Sequence, residues 1–263
     1  MSFSVTFVNK LFSGLFVLFI GITSALFFCM ALVIRLCTAP FDQRRIITNV
    51  FSAFWASVYT WCMPVWSIKI IGRHKLKLKK NYVLVSNHQS QLDILVLYRL
   101  LFPYRWVSKA SVFNLPFIGW NMILNGDIKL KRGDKTSIAS MMAKCEAMLK
   151  RNISVFFFPE GTRSKDGRLG PFKPGAFILA KNAGVDIQPI VINNTRNALP
   201  KHSLTLQGHQ NIEVKILDEI PFSNFRDMEP EEIASMVRKE IALHVNEHKD
   251  DETILSGVPE TAN

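Results

Sequence analysis

The sequence predicts an α/β domain, a mostly parallel sheet covered by helices, preceded by an N-terminal helical membrane element. Three observations predict it. Short apolar runs bounded by polar or turn residues recur along the chain and alternate with segments of helical period, the pattern of buried strands joined by crossover helices. Residues 11–34 form an uncharged apolar stretch between Lys10 and Arg35, longer than the ~20 residues that cross a bilayer as a helix. Polar side chains collect just beyond two of the strand runs, where open sheets place their chemistry.

The elements follow in order. Residues 11–34 are too long for the apolar core of a signal peptide, and no small-residue cleavage site follows, so the segment reads as a retained membrane helix. A second uncharged run, 46–68, is broken by Pro64, diluted by Thr48, Asn49, Ser52, Ser57 and Thr60, and crowded with aromatic rings. It reads as a helix lying in the membrane interface or packing on the first, with an ordinary core helix as the alternative. Arg35, Arg44 and Arg45 after the first helix, against Lys10 before it, place the following domain on the cytoplasmic side; the expected location is a bacterial inner membrane. Domain bounds are then 1–66 for the membrane element, 67–248 for the α/β domain and 249–263 for a polar tail that reads as disordered.

Within the domain, strands are expected at 68–71, 82–86, 106–108, 128–130, 154–158, 187–192 and 212–217. Helices are expected from 94 to 101, at 136–150 with Met141, Cys145 and Leu149 on one face, at 175–183, and at 230–248. The last opens with Pro230, Glu231 and Glu232, a sound start signal. Between Arg73 and Lys80 basic residues alternate with leucine, like an edge strand protected by lysine or a surface drawn to anionic headgroups.

The chain has 263 residues and a net charge of +11, enough for one sizeable domain with an appendage. No nucleic-acid recognition motif accompanies the charge, and the long apolar segment argues for membrane lipids as partner and against nucleic acid. Cys29, Cys37, Cys62 and Cys145 form no C-x-x-C pair; three lie in or beside apolar segments and are expected to be buried free thiols. No metal-ligand cluster emerges: His88 and Asp93 have no third ligand nearby in sequence, and His202 and His209 sit in a turn-rich stretch.

The chemistry is expected after the strands at 82–86 and 154–158. Asn87-His88-Gln89-Ser90-Gln91-Leu92-Asp93 places a histidine and an aspartate five apart where a strand end meets a helix. An imidazole there can take a proton from a hydroxyl, and the aspartate can fix its tautomer and stabilise the imidazolium. Ser90 has no G-x-S-x-G elbow around it and reads as structural. After the second strand, Pro159-Glu160-Gly161-Thr162-Arg163-Ser164 gathers a carboxylate, two hydroxyls and a guanidinium, and Lys173 follows in the turn Phe172-Lys173-Pro174-Gly175. Arg132 ends the segment Gly126-Asp127-Ile128-Lys129-Leu130-Lys131-Arg132. Arg132, Arg163 and Lys173 each read alone as a solvated charge; together they suit a phosphate.

Taken together these stretches resemble the glycerolipid acyltransferases. The family pattern N-H-x-x-x-x-D is met by Asn87 to Asp93, and F-P-E-G-T-R-S by Phe158 to Ser164 without a departure. Two looser motifs are met by Gly126 to Arg132 and by the proline-centred strand Val185-Asp186-Ile187-Gln188-Pro189-Ile190-Val191-Ile192, whose Asp186 and Gln188 depart from a more apolar expectation. The resemblance covers about residues 70–220. It implies a glycerolipid acyltransferase-like fold and acyl transfer from a thioester to the 2-hydroxyl of a lysophosphatidic acid, giving phosphatidic acid. His88 and Asp93 would be catalytic. Arg132, Arg163 and Lys173 would hold the phosphate, with Glu160, Gly161 and Thr162 completing the substrate site. No cofactor or metal is implied; acyl-CoA or acyl-carrier protein would be the donor. Acylation of glycerol-3-phosphate or another lysophospholipid fits the same motifs, and a membrane-anchored hydrolase using His88 and Asp93 is the alternative from another class.

Overall fold

The computed structural model describes residues 2–164, 167–199 and 208–246. The tail from Lys249, the end of the last expected helix, and His202 lie outside the described residues. Seven strands form one sheet: β1 (Trp66–Ile71), β2 (Val83–Ser86), β3 (Tyr104–Lys109), β4 (Ile128–Leu130), β5 (Ser154–Phe157), β6 (Ile187–Asn193) and β7 (Gln210–Ile216), in the order β1-β7-β6-β2-β5-β3-β4. Every neighbouring pair is parallel except β6 and β7. The expected strands are therefore all present, in a mostly parallel sheet.

The central strands are apolar on both faces because both are covered. On β2, Leu84 joins one core with Tyr104, Trp106, Phe156 and Ile190, while Val83 and Val85 join the other with Val155, Phe157 and Val191. This is the two-residue period of a strand dividing its side chains between two layers. Helices α1 (Ser2–Thr38), α2 (Ile46–Trp61), α3 (Leu92–Tyr98), α4 (Ile118–Asn125) and the short α7 (Thr195–Ala198) lie with the first core; α5 (Lys135–Lys150), α6 (Gly175–Ala183) and α8 (Pro230–Ala242) cover the second. Helix α8 starts at Pro230 as expected, with Glu229 and Glu232 forming a capping box.

Within α1, Lys10–Thr38 is long and apolar enough to cross a membrane. One stripe of it lies against the domain: Ser13, Ser24, Ala31 and Thr38 are buried, and Thr23 and Ser24 each share a hydrogen bond with Tyr59 of α2 at 3.1 Å. Leu11, Leu15, Leu18, Ile22, Leu26 and Val33 face outward. Helix α2 is built inside out for a water-soluble protein. Thr48, Asn49, Ser52, Ser57 and Thr60 point inward, while Ile47, Val50, Phe54 and Trp61 are exposed.

Two expectations need correction. Residues 73–80 form no strand: Arg73–Lys75 is a single 3-10 turn, entered through Gly72 at φ 78. Lys75, Lys77 and Lys80 reach Asp218, Glu219 and Asp186, so the alternation serves ion pairs and not an edge. Cys29, Cys37 and Cys62 are free but exposed, being on the outer surface of the N-terminal helical layer; only Cys145 is buried. The departure at Gln188 has a local reason, because its amide donates to the Leu217 carbonyl at 2.8 Å and ties β6 to the chain leaving β7.

Candidate active site

His88 leaves the C-terminal end of β2, the strand flanked by the parallel strands β5 and β6. Asn87 locks that end: its Nδ2 donates to the Ile192 carbonyl at 2.8 Å and its Oδ1 accepts from Ile192 N at 2.9 Å. The loop after β5 holds His88 by both of its backbone groups. His88 N donates to Glu160 Oε1 at 2.8 Å, and Ser164 N donates to the His88 carbonyl at 2.8 Å.

The imidazole is fixed from two further sides. Its Nδ1 lies 2.7 Å from Asp93 Oδ2. A carboxylate only accepts, so Nδ1 carries the hydrogen and Nε2 keeps the free lone pair. One ring face stacks on Phe158, with centroids 3.9 Å apart, which keeps water from that side. Asp93 itself is fully buried in the first turn of α3. Its Oδ2 also accepts from Gln89 N at 2.7 Å and Ser90 N at 2.9 Å, and its Oδ1 accepts from the Thr195 hydroxyl. Four donors on one buried carboxyl group fix it in position. Ser90 donates to the Leu199 carbonyl at 2.6 Å and so braces the loop, as a structural serine should.

Glu160 is the second carboxylate of the site. Its Oε1 serves His88 N and its Oε2 accepts from Gly170 N at 3.0 Å. Burial pushes its carboxyl above the ordinary value, opposed by these two backbone donors. Arg238 of α8 supports the far side by donating to the carbonyls of Leu169 and Gly170 at 2.7 and 2.9 Å. Gly161, at φ 71, passes directly under Lys173: a Cβ there would lie 3.0 Å from Nζ. The left-handed backbone and this close approach both ask for glycine.

Of the expected site residues, the structure brings His88, Asp93, Glu160, Gly161 and Lys173 into one contact network. Thr162 and Lys173 are exposed, and Arg163 is half-buried, in the same loop cluster. Arg132 is exposed in the turn after β4. It leaves the same end of the sheet but is displaced from His88 by three strand spacings, roughly 14 Å. Thr195, Phe158 and Arg238 are contributors that sequence reading missed. Thr195 follows β6 and is 102 positions from Asp93, so no local pattern joins them.

An apolar cavity of about 210 Å³ opens beside this network, lined by Trp55, Tyr59, Leu95, Tyr98, Trp106 and Met122. The Trp106 ring stacks on Phe158 at 5.6 Å, and Phe158 stacks on His88, so one wall of the cavity continues to the imidazole. A second cavity of about 190 Å³, among Phe16, Trp66, Gln91, Leu92 and Leu199, shares Ile20 and Leu95 with the first.

Known proteins resemble the chain over the region that holds this site. An acyltransferase family model matches residues 67–193, a range that includes both loops clamping His88. The chloroplastic 1-acyl-sn-glycerol-3-phosphate acyltransferase BAT2 of Brassica napus is 42% identical over 178 residues, 67% of this chain and 51% of that protein. The chain thus spans about half the length of this plant relative. The 1-acyl-sn-glycerol-3-phosphate acyltransferase of Salmonella typhimurium is 31% identical over 179 residues, 66% of this chain and 72% of that protein. Among solved structures, a 1-acyl-sn-glycerophosphate acyltransferase from Thermotoga maritima shares the fold, with a TM-score of 0.71 over 89% of this chain and 95% of that one at 19% identity. Because the relatives include chloroplastic and eukaryotic proteins, the bacterial inner membrane expected from the sequence is not carried over. With a bacterial relative matched over most of its own length and a fold shared almost throughout, the assignment is plain: the chain belongs to the acyltransferase family.

Proposed function

We propose that the protein transfers a fatty acyl group from an acyl thioester to the 2-hydroxyl of 1-acyl-sn-glycerol-3-phosphate, giving phosphatidic acid. The observation that carries the proposal is the imidazole of His88, held at Nδ1 by a buried carboxylate and left with Nε2 as the open base. Curated relatives named for acylation of this acceptor support the choice of substrate.

The hydroxyl proton passes to Nε2 as the oxygen attacks the thioester carbonyl. A C–O bond forms, the C–S bond breaks, and the imidazolium returns the proton to the departing thiolate. Asp93 stabilises the imidazolium between those steps. Lys173 and Arg163 flank the loop that holds His88 and would bind the acceptor's phosphate, with Arg132 reaching in from the same edge. Gly161 and Thr162 shape the floor beneath it. Glu160 acts through the backbone of His88. The apolar cavity walled by Trp106 suits a fatty acyl chain, with acyl-CoA or an acyl-carrier protein delivering it.

The test is mass spectrometry of products from lysophosphatidic acid and a mixture of acyl thioesters, run beside glycerol-3-phosphate and beside thioester alone. Phosphatidic acid as the main product is expected. Preferential acylation of glycerol-3-phosphate, or free fatty acid released without acceptor, would replace the proposal with the alternative acceptor or with a hydrolase. Arg163→Ala and Lys173→Ala should raise KM for the acceptor far more than for the thioester.

A further inference from the structure

Helix α4 repeats the inverted arrangement of α2. Asn121 and Asn125 are buried and meet Ser52 of α2 at 3.0–3.3 Å, while Leu115, Ile118, Trp120 and Ile123 are 49, 38, 45 and 49% exposed. A helix in water hides its apolar face; this one hides its amides. The outward side chains continue the outer surface of α1, because Phe28 packs on Phe117 and Trp120 at 6.0 and 5.5 Å.

The segment is also rigidly built. Phe117 has φ 59 and ψ −54, and Ile118 N donates to the Pro116 carbonyl at 2.6 Å, a strained three-residue turn that aims the Phe117 ring at α1. Gly119 lets α4 press on the preceding turn: a Cβ there would be 2.3 Å from the Phe113 carbonyl oxygen. The charges around the patch are mostly basic, with Asp134 3.6 Å from Lys131 as the nearby exception. Between Leu101 and Gly133 the sole acidic residue is Asp127, whose Oδ2 is shut off from solvent; Lys109, Lys129, Lys131 and Arg132 are exposed.

We propose that the 115–123 segment inserts into the acyl-chain region of an anionic phospholipid leaflet, as a third membrane-facing element beside α1 and α2. Apolar side chains enter the leaflet while Lys109, Lys129, Lys131 and Arg132 meet its headgroups, as at a basic-fringed interfacial helix. The segment follows the C-terminal end of β3, the same end of the sheet at which β2 carries His88, so its insertion sets the depth of the active-site edge.

Nitroxide labels at Leu115→Cys and Ile123→Cys, in full-length protein carrying Cys29→Ser, Cys37→Ser and Cys62→Ser, test this on phosphatidylcholine–phosphatidylglycerol vesicles. A label at Lys144→Cys, on the exposed face of α5, is the water control. The expected result is that both α4 labels become accessible to oxygen and shielded from a water-soluble nickel complex when vesicles are added, while the control does not change. Nickel accessibility at both positions equal to the control would overturn the proposal. So would spin–spin broadening between labels of different molecules, which would give the face to a second copy of this chain. Leu115→Asp with Ile123→Asp should lower turnover of vesicle-embedded substrate about tenfold relative to detergent-dispersed substrate, because a carboxylate is strongly disfavoured in the leaflet. An unchanged ratio would count against insertion.

Discussion

Replacing Asp93 with asparagine tests the role of the carboxylate with almost no change of shape. Three donors meet at Oδ2, namely His88 Nδ1, Gln89 N and Ser90 N, and one hydroxyl meets Oδ1. The introduced amide can satisfy all four by turning its oxygen to the three donors and its amino group to Thr195, whose hydroxyl then accepts instead of donating. The tautomer of His88 is thereby kept, and what is lost is the negative charge facing the imidazolium. With charges about 4 Å apart and an effective dielectric constant of about 20, the lost attraction is about 4 kcal/mol, or roughly 10³ in rate. Exchanging a charge-assisted hydrogen bond for a neutral one sets the lower bound at about 1.5 kcal/mol, or tenfold. The expected outcome is a fall in kcat of about 10–10³ with KM for lysophosphatidic acid within about threefold, followed by release of free thiol from the donor. Circular dichroism and melting of the variant should match the parent. A folded variant retaining more than about a third of kcat would refute the claim that Asp93 acts through its charge.

His88→Ala should remove the general base and lower turnover by about 10²–10⁴ without unfolding the protein; more than a tenth of parental activity would rule the base out. Gly161→Ala should lose activity and stability together, since φ 71 and the 3.0 Å approach of Lys173 both resist a methyl group, and thermal melting in detergent reads the second effect. Thr195→Val should lower kcat with little change in KM by freeing Asp93 Oδ1, and Thr195→Ser should restore it; equal rates for the two variants would remove Thr195 from the network. Burial raises Asp127 from 3.8 to about 7 against the attraction of Arg105. Its stabilising contribution is therefore full below its ordinary value and lost as pH rises through about 7. Asp127→Asn should flatten the fall in stability between pH 4 and 8 in denaturant titrations, and an unaltered slope would refute this.

The strands were legible because covered parallel strands must be apolar on both faces, so runs such as Val83–Ser86 and Ser154–Phe157 stand out from a single sequence. The two loops around His88 were legible because their polar residues interrupt those runs abruptly. Contacts made across the fold were not. Nothing near Asp93 announces Thr195, and nothing in Glu160 announces that both of its oxygens serve backbone donors of other segments. Helix α4 escaped for a different reason. Its asparagines face inward and its isoleucines outward, so periodicity read with the usual sign of amphipathicity assigns it no buried face. Lysine–leucine alternation from 73 to 80 misled because turns with well-placed ion partners produce the same rhythm as a strand.

The inverted polarity of α2 limits how the protein can be made soluble. Asn49 Oδ1 accepts from Tyr104 N at 3.2 Å, Ser52 joins Asn121, and Thr60 Oγ1 accepts from Arg99 at 3.4 Å. Deleting the helix would remove those partners, among them the acceptor for the backbone N–H of a sheet strand, and uncover the core beneath it. Recolouring only its outer residues, Ile47, Val50, Phe54 and Trp61, would leave that lattice whole. Here a soluble variant is a problem of surface design, with the helix treated as part of the core it covers.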